Sequence, residues 1–118
     1  MLEGEKILVT GATGKIAFPI ARALAGNNEV WGAARLQGAG DHEKLAGAGV
    51  KPLALDLSTG DFSSVPEDFS YVFHAAVDPG QGSWRQCVRT NAHYSGDLLY
   101  HCRGAKGFVF CSTGSIYG

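Results

Sequence analysis

Short apolar runs alternate along the chain with segments whose apolar residues recur every three or four positions, which predicts strands and helices in turn. The first run, Ile7-Leu-Val9, is rich in β-branched residues and suits a strand covered on both faces. Lys15 to Ala25 follows with Ile16, Ile20, Ala23 and Leu24 at helical spacing, and Gly26-Asn-Asn28 turns the chain into a second strand, Glu29-Val-Trp-Gly-Ala33. Pro19 falls inside that helix and removes a hydrogen bond unless it lies in the first turn. Asp41 is an N-cap for a short helix carrying Leu45 and Ala46, ended by Gly47-Ala-Gly49. Val50 to Leu55 is a third strand whose Pro52 suits a strand start or a sheet edge. Ser58 to Asp68 is a polar loop with a helical turn, anchored by Phe62 and Val65, and Ser70 to Ala75 is a fourth strand. After the turn cluster Asp78-Pro-Gly-Gln-Gly82, Ser83 to Arg103 is the longest helix, with Trp84, Val88, Ala92, Ser95, Leu98, Leu99 and Cys102 on one broad face. Gly107-Phe-Val-Phe-Cys111 is a fifth strand. The short connections suit βαβ units.

Size and charge narrow the functions open to such a chain. Its 118 residues make one domain, 1–118, of a size that buries about 60 to 70% of its unfolded surface. A net charge of −1 with no block of like charges argues against a nucleic-acid or membrane-surface binder. No apolar run approaches a membrane span, and the first residues lack a basic start followed by an apolar segment, so a cytoplasmic location is expected. Cys87, Cys102 and Cys111 are odd in number and lack Cys-x-x-Cys spacing, which reads as reduced, partly buried thiols.

The chemistry begins where the first strand meets the first helix. In Lys6-Ile-Leu-Val-Thr-Gly-Ala-Thr-Gly-Lys-Ile-Ala17, Gly11 and Gly14 remove Cβ atoms where the backbone turns and a ligand must come close. Ala17 is a third small residue that lets the helix pack on the strand. The helix N-terminus, with unpaired N–H groups and the positive end of its dipole, suits a pyrophosphate. The residues read as cofactor-binding here are Gly11, Ala12, Thr13, Gly14, Lys15 and Ile16; a plain turn is the competing reading. Thr10-Gly-Ala-Thr-Gly-Lys-Ile-Ala17 resembles the fingerprint of the short-chain dehydrogenase/reductase superfamily, in particular its extended, NAD-dependent epimerase/dehydratase branch.

Later segments resemble the same family in the same order. After the second strand, Ala33-Ala-Arg35 lacks the acid that takes ribose hydroxyls in NAD-selective relatives. Arg35 instead resembles the pattern that accommodates a 2′-phosphate, favouring NADP while NAD stays possible; a solvated arginine at a strand end is the alternative. Asp56-Leu57 matches the pair that in the family meets the adenine, although a short acid also caps turns. His74-Ala-Ala-Val77 resembles a signature whose small residues admit the cofactor, so Ala75, Ala76 and Val77 join the site, with Val77 in place of the usual Gly or Ala. His74 has no second His, Cys or carboxylate at ligand spacing, and reads as a hydrogen-bonded structural residue; no metal site is expected. Asn91 aligns with the Asn of the family's Asn-Val-x-Gly-Thr-x-x-Leu-Leu helix, and either scaffolds the active site or bonds helix to loop; Tyr94 and Ser95 depart from the pattern. In the family this helix often forms a dimeric four-helix bundle, and Cys87, Leu99 and Tyr100 serve either such a homodimer or packing on the sheet. Ser112-Thr-Gly-Ser-Ile-Tyr-Gly118 is similar to the motif of UDP-galactose epimerases and sugar-nucleotide dehydratases. Thr113 falls on its catalytic Ser/Thr, with an ordinary turn hydroxyl as the alternative.

The resemblance implies an α/β, Rossmann-like doubly wound parallel sheet in order 3-2-1-4-5, with cofactor across the switch between strands one and four. It also implies NAD(P)-dependent oxidoreductase, epimerase or dehydratase chemistry on a sugar nucleotide or small alcohol or ketone. The family's acid/base, a Tyr-x-x-x-Lys pair, has no match: the residues four places after Tyr71, Tyr94 and Tyr100 are Ala75, Leu98 and Gly104, and Tyr117 belongs to the Tyr-Gly pair. The expectation is the N-terminal part of a longer enzyme, able to bind cofactor and inactive alone. A noncatalytic NAD(P)-sensing binding module is the alternative.

Overall fold

The structure, a computed structural model, describes residues 3–35, 40–55, 62–75 and 94–110. Its elements are β1 (Lys6–Thr10), α1 (Ala17–Ala25), β2 (Glu29–Ala34), α2 (Asp41–Gly47), β3 (Lys51–Ala54), β4 (Tyr71–His74), α3 (Tyr94–His101) and β5 (Gly107–Phe110). The five strands form one parallel sheet in the order β3-β2-β1-β4-β5, as the sequence led one to expect. β1, central and buried from Ile7 to Thr10, is the apolar run from which the sheet grows. β3 is an edge strand, so Pro52, paired opposite Gly32, withholds no N–H from a second neighbour.

Side chains alternate across β1 into two cores. Ile7 and Val9 pack with Ala12, Ala17, Ala21, Val30, Leu45 and Val50 on the face that α1 and α2 cover. Leu8 faces the other way, among Ala33, Leu55, Phe62, Val65, Phe69, Val72, Leu98 and Cys102. The anchoring of the loop after β3 by Phe62 and Val65 is as expected, and His101 bonds the Val65 carbonyl at 2.7 Å, tying that loop to α3.

Four expectations need correction. α1 starts at Ala17, not Lys15, and it buries Ala17 and Ala21 rather than the stripe through Ile16, Ile20 and Ala23; Ile16 is 56% exposed. Phe18 and Leu24 pack against the same core from the flanks, partly buried. Pro19, third in α1, sits in the first turn, where its missing N–H has no partner to lose. Leu98 of α3 and Cys102, just past its end, are buried, while Leu99 and Tyr100 are 48% and 68% exposed, so these two do not pack on the sheet. The described helix ends at His101 rather than Arg103, and residues 83–93, with Trp84, Cys87, Val88 and Ala92, lie outside the described residues, as does Cys111. Burial pushes the Cys102 thiol up to about 11, helped by nearby Glu67, which leaves it an unreactive core group.

Candidate functional site

Register decides where the motif-bearing segments end up. Thr10 lies opposite both Ala33 and His74, Ala34 opposite Ala54, and His74 opposite Phe110. All five strands therefore finish on one edge, and the segments beginning at Gly11, Arg35, Leu55 and Ala75 leave from it. In a doubly wound sheet this is where ligands bind, at the point where the strand order reverses, here between β1 and β4.

The turn from β1 into α1 is built from small residues with specific reasons. Gly11 has φ +64°, a left-handed conformation that a side chain disfavours. A Cβ on Gly14 would stand 3.2 Å from the Gly11 carbonyl, which accepts the Gly14 N–H at 2.9 Å. Ala12 is fully buried and donates its N–H to the Ala33 carbonyl, so it anchors the turn to β2 by packing and hydrogen bonding. The room for Ala12 comes from Gly32 in β2, where a Cβ would lie 2.9 Å from that of Ala12 and 2.7 Å from Val50 Cγ1. Gly14, Lys15 and Ile16 form the exposed rim of the turn, and α1 opens behind them with no side-chain cap and no acid in its first turn. The Phe18 N–H bonds back to the Gly14 carbonyl at 3.0 Å and Pro19 has none, so an anion there would meet the amides just before Phe18, which with the positive dipole end and the glycine rim fit the diphosphate of a dinucleotide.

A buried polar pair ties the two strands that border the crevice. Thr10 Oγ1 accepts the Ala75 N–H at 2.9 Å and lies 2.6 Å from His74 Nδ1. Both side chains are buried, and desolvation lowers the His74 pKa to about 4, so its imidazole is neutral near pH 7. His74 is thus a hydrogen-bonded structural residue, as its sequence context suggested.

Of the residues singled out in the sequence, the structure brings Gly11 to Ile16, Arg35 and Ala75 to this edge, Arg35 exposed just beyond β2. Asp56, Leu57, Ala76, Val77, Asn91 and Thr113 lie outside the described residues. Three contributors went unremarked. Gly32 carried a signal, since a glycine inside a strand marks a close approach. Thr10 carried a weaker one, a polar residue closing an apolar run. Lys44 of α2 donates to the Thr13 carbonyl at 3.2 Å and stands 4.4 Å over the Phe18 ring, a position nothing in the sequence announces.

Comparison with known proteins agrees with this architecture. The sequence model of the NAD dependent epimerase/dehydratase family matches residues 7–118. Among solved structures, a UDP-N-acetylglucosamine 4-epimerase from Methanobrevibacter ruminantium M1, in complex with UDP-N-acetylmuramic acid, is similar with TM-score 0.78 and 27% identity, over 99% of this chain and 40% of that one. An epimerase from Methanothermobacter thermautotrophicus is similar with TM-score 0.76 and 19% identity, over 95% of this chain and 36% of its own. A short chain dehydrogenase from Burkholderia cenocepacia J2315, in complex with NADP, gives TM-score 0.72 and 17% identity, over 96% and 57%. This chain therefore spans little more than half, or less, of each of those proteins. No curated protein sequence matches it.

Proposed function

Because the chain belongs to the NAD dependent epimerase/dehydratase family, we propose that it binds a nicotinamide dinucleotide, NADP in preference to NAD, across the β1–β4 crevice. The observation that carries this reading is the uncapped start of α1 behind the Gly11–Gly14 turn, on the edge where every strand ends. The diphosphate takes the amides at that helix start, while Lys15 and Ile16 border it. Arg35, where an acid would select NAD, takes the 2′-phosphate. Asp56 and Leu57 hold the adenine, and Ala75, Ala76 and Val77 admit the nicotinamide half along the end of β4.

On this reading residues 1–118 are the cofactor domain of a longer oxidoreductase, epimerase or dehydratase acting on a sugar nucleotide or a small alcohol or ketone, and the domain alone does not turn over. The bound nicotinamide supplies hydride acceptance or donation. The Thr113 hydroxyl holds the reacting oxygen of the substrate by a hydrogen bond, which fixes the carbon beside it, and Asn91 supports that segment. The Thr10–His74 pair keeps the crevice walls in register and exchanges no proton, since His74 is neutral and buried.

Calorimetric titration with NADPH and NADH tests this. NADPH should bind more tightly, and Arg35→Ser should remove a charge-assisted contact of about 1.5 to 3 kcal/mol, weakening NADPH roughly ten- to a hundredfold. A folded sample that takes up neither nucleotide would overturn the reading. A longer polypeptide revealed by intact mass, with turnover absent from residues 1–118 alone, supports the domain assignment; turnover by these residues alone would refute it.

A further inference from the structure

We propose that Thr10 and His74 are positioning residues for the nicotinamide half of the bound dinucleotide, holding the end of β4 where that half must lie. This rests on the cofactor reading above and gives the buried pair a consequence beyond stability: it acts on one half of the ligand and not on the other.

Opening the crevice takes a main-chain partner away from β4. β1 ends at Thr10, and the chain then bends through Gly11 toward β2, where the Ala12 N–H meets the Ala33 carbonyl at 3.2 Å. The last residue of β4 paired with β1 is His74, so the next N–H, that of Ala75, faces a strand that has turned off. The Thr10 hydroxyl stands in by accepting this N–H at 2.9 Å. A side chain thus carries the β1–β4 pairing one rung past the end of the paired main chain.

His74 fixes the hydroxyl in turn. Its Nδ1 lies 2.6 Å from Thr10 Oγ1, and its ring packs against Phe108 of β5 with centroids 6.1 Å apart, which holds the imidazole in the core. A neutral imidazole presents either a lone pair or an N–H at Nδ1, and a hydroxyl, with one donor and two lone pairs, answers both while still accepting from Ala75. The Ala75 peptide is therefore held whichever tautomer is present. Ala75, partly buried, opens the stretch assigned above to the nicotinamide half. The adenosine half is served by Arg35 at the end of β2, on the far side of β1 from the pair.

The competing role is support alone, a buried bond that stabilises the sheet whatever binds above it. Support alone alters NADPH and 2′,5′-ADP binding together, whereas positioning alters NADPH and spares 2′,5′-ADP, which has no nicotinamide half. The test is titration of wild type, Thr10→Val and Thr10→Ser with both ligands. Val keeps the shape and removes the hydroxyl; Ser keeps the hydroxyl. We expect Thr10→Val to weaken NADPH by about tenfold while 2′,5′-ADP changes less than about twofold, with Thr10→Ser recovering most of the difference. An unchanged NADPH to 2′,5′-ADP ratio in Thr10→Val, whether both fall together or neither moves, overturns the positioning role and leaves the cofactor reading standing. If Thr10→Val does not fold, the Ala75 amide resonance of wild type decides. Displacement by NADPH and not by 2′,5′-ADP supports the role; an amide that NADPH leaves in place, or that both ligands move equally, overturns it. Wild-type protein that binds neither ligand overturns the cofactor reading as well.

Discussion

The two ends of the sheet are made of different materials. At the amino end, cations meet carboxylates: Lys6 lies 2.6 Å from Asp68, Lys106 3.3 Å from Glu5, and Lys51 3.6 Å from Glu29. The Trp31 ring has Lys6 and Lys51 over it at 5.7 and 5.3 Å, donates from Nε1 to Glu29 at 2.7 Å, and meets Phe69 edge-on. At the carboxyl end stand glycines, alanines and an uncapped helix start. The cations there, Lys15, Arg35 and Lys44, are exposed, the partners found for Lys44 are a carbonyl and a ring, and the acids Asp41 and Glu43 stand in the first turn of α2. One end is neutralised and roofed by large side chains; the other keeps positive charge and main-chain donors within reach of solvent. Among the described residues, main-chain donors at an exposed helix start make the carboxyl end the one suited to an anionic ligand.

Acid should separate the two ends most sharply. His74 has an unfolded value of 6.5 and a folded value of about 4. Between these the unfolded chain binds a proton that the native one refuses. Its contribution is therefore complete above pH 6.5, falls as pH drops toward 4, and is level below; the full loss is up to about 3 kcal/mol. The amino-end carboxylates behave otherwise. Glu5 is lowered by Ser70 and Lys106, Glu29 by Trp31, and Asp68 by Lys6, so their contributions vanish only as pH falls through and below the ordinary carboxylate range. Urea unfolding from pH 7 to 4.5 should show the His74 decline, and His74→Gln should flatten it. A slope that survives the substitution would mean that the Thr10–His74 pair is not its source.

How far this polarity could be read from the sequence depended on what fixed each residue. Apolar runs joined by short crossovers gave the βαβ units, while the order of the strands came with the family resemblance. The glycine turn was legible because Gly11 and Gly14 answer a backbone demand that other residues meet poorly. The buried face of α1 was misplaced because periodicity rewards Ile and Leu, whereas a helix pressed on a sheet buries Ala17 and Ala21. Lys44 was invisible because an exposed helical lysine looks alike wherever its ammonium goes; only the packing of Leu45 decides that.

Gly32→Ala sharpens the comparison from within the carboxyl end. The added methyl would stand 2.7 Å from Val50 Cγ1 and 2.9 Å from Ala12 Cβ, so both Val50, just before β3, and the nucleotide turn must give way. Overpacking of this kind destabilises by about 1 to 3 kcal/mol, and the displaced turn should also bind nucleotide more weakly. Thermal melts and NADPH titration of the same sample check both effects. Loss of stability with unchanged affinity would show that β2 packing and the turn are independent.

Lys6→Met tests the amino end, with the smallest effect expected. The ammonium sits 2.6 Å from Asp68 and over both Trp31 and Phe69, which looks like a concentration of binding energy. Asp68 is largely exposed, however, so water and salt screen the pair, and methionine keeps most of the stem against the rings. The loss should be smaller than for Gly32→Ala, should shrink further as salt rises, and should leave nucleotide affinity where it was, because no element of the nucleotide turn touches this end. A nucleotide affinity that moved with Lys6 would mean that charge at the amino end is felt through the sheet. The neutralised end would then be an electrostatic part of the site rather than its inert opposite.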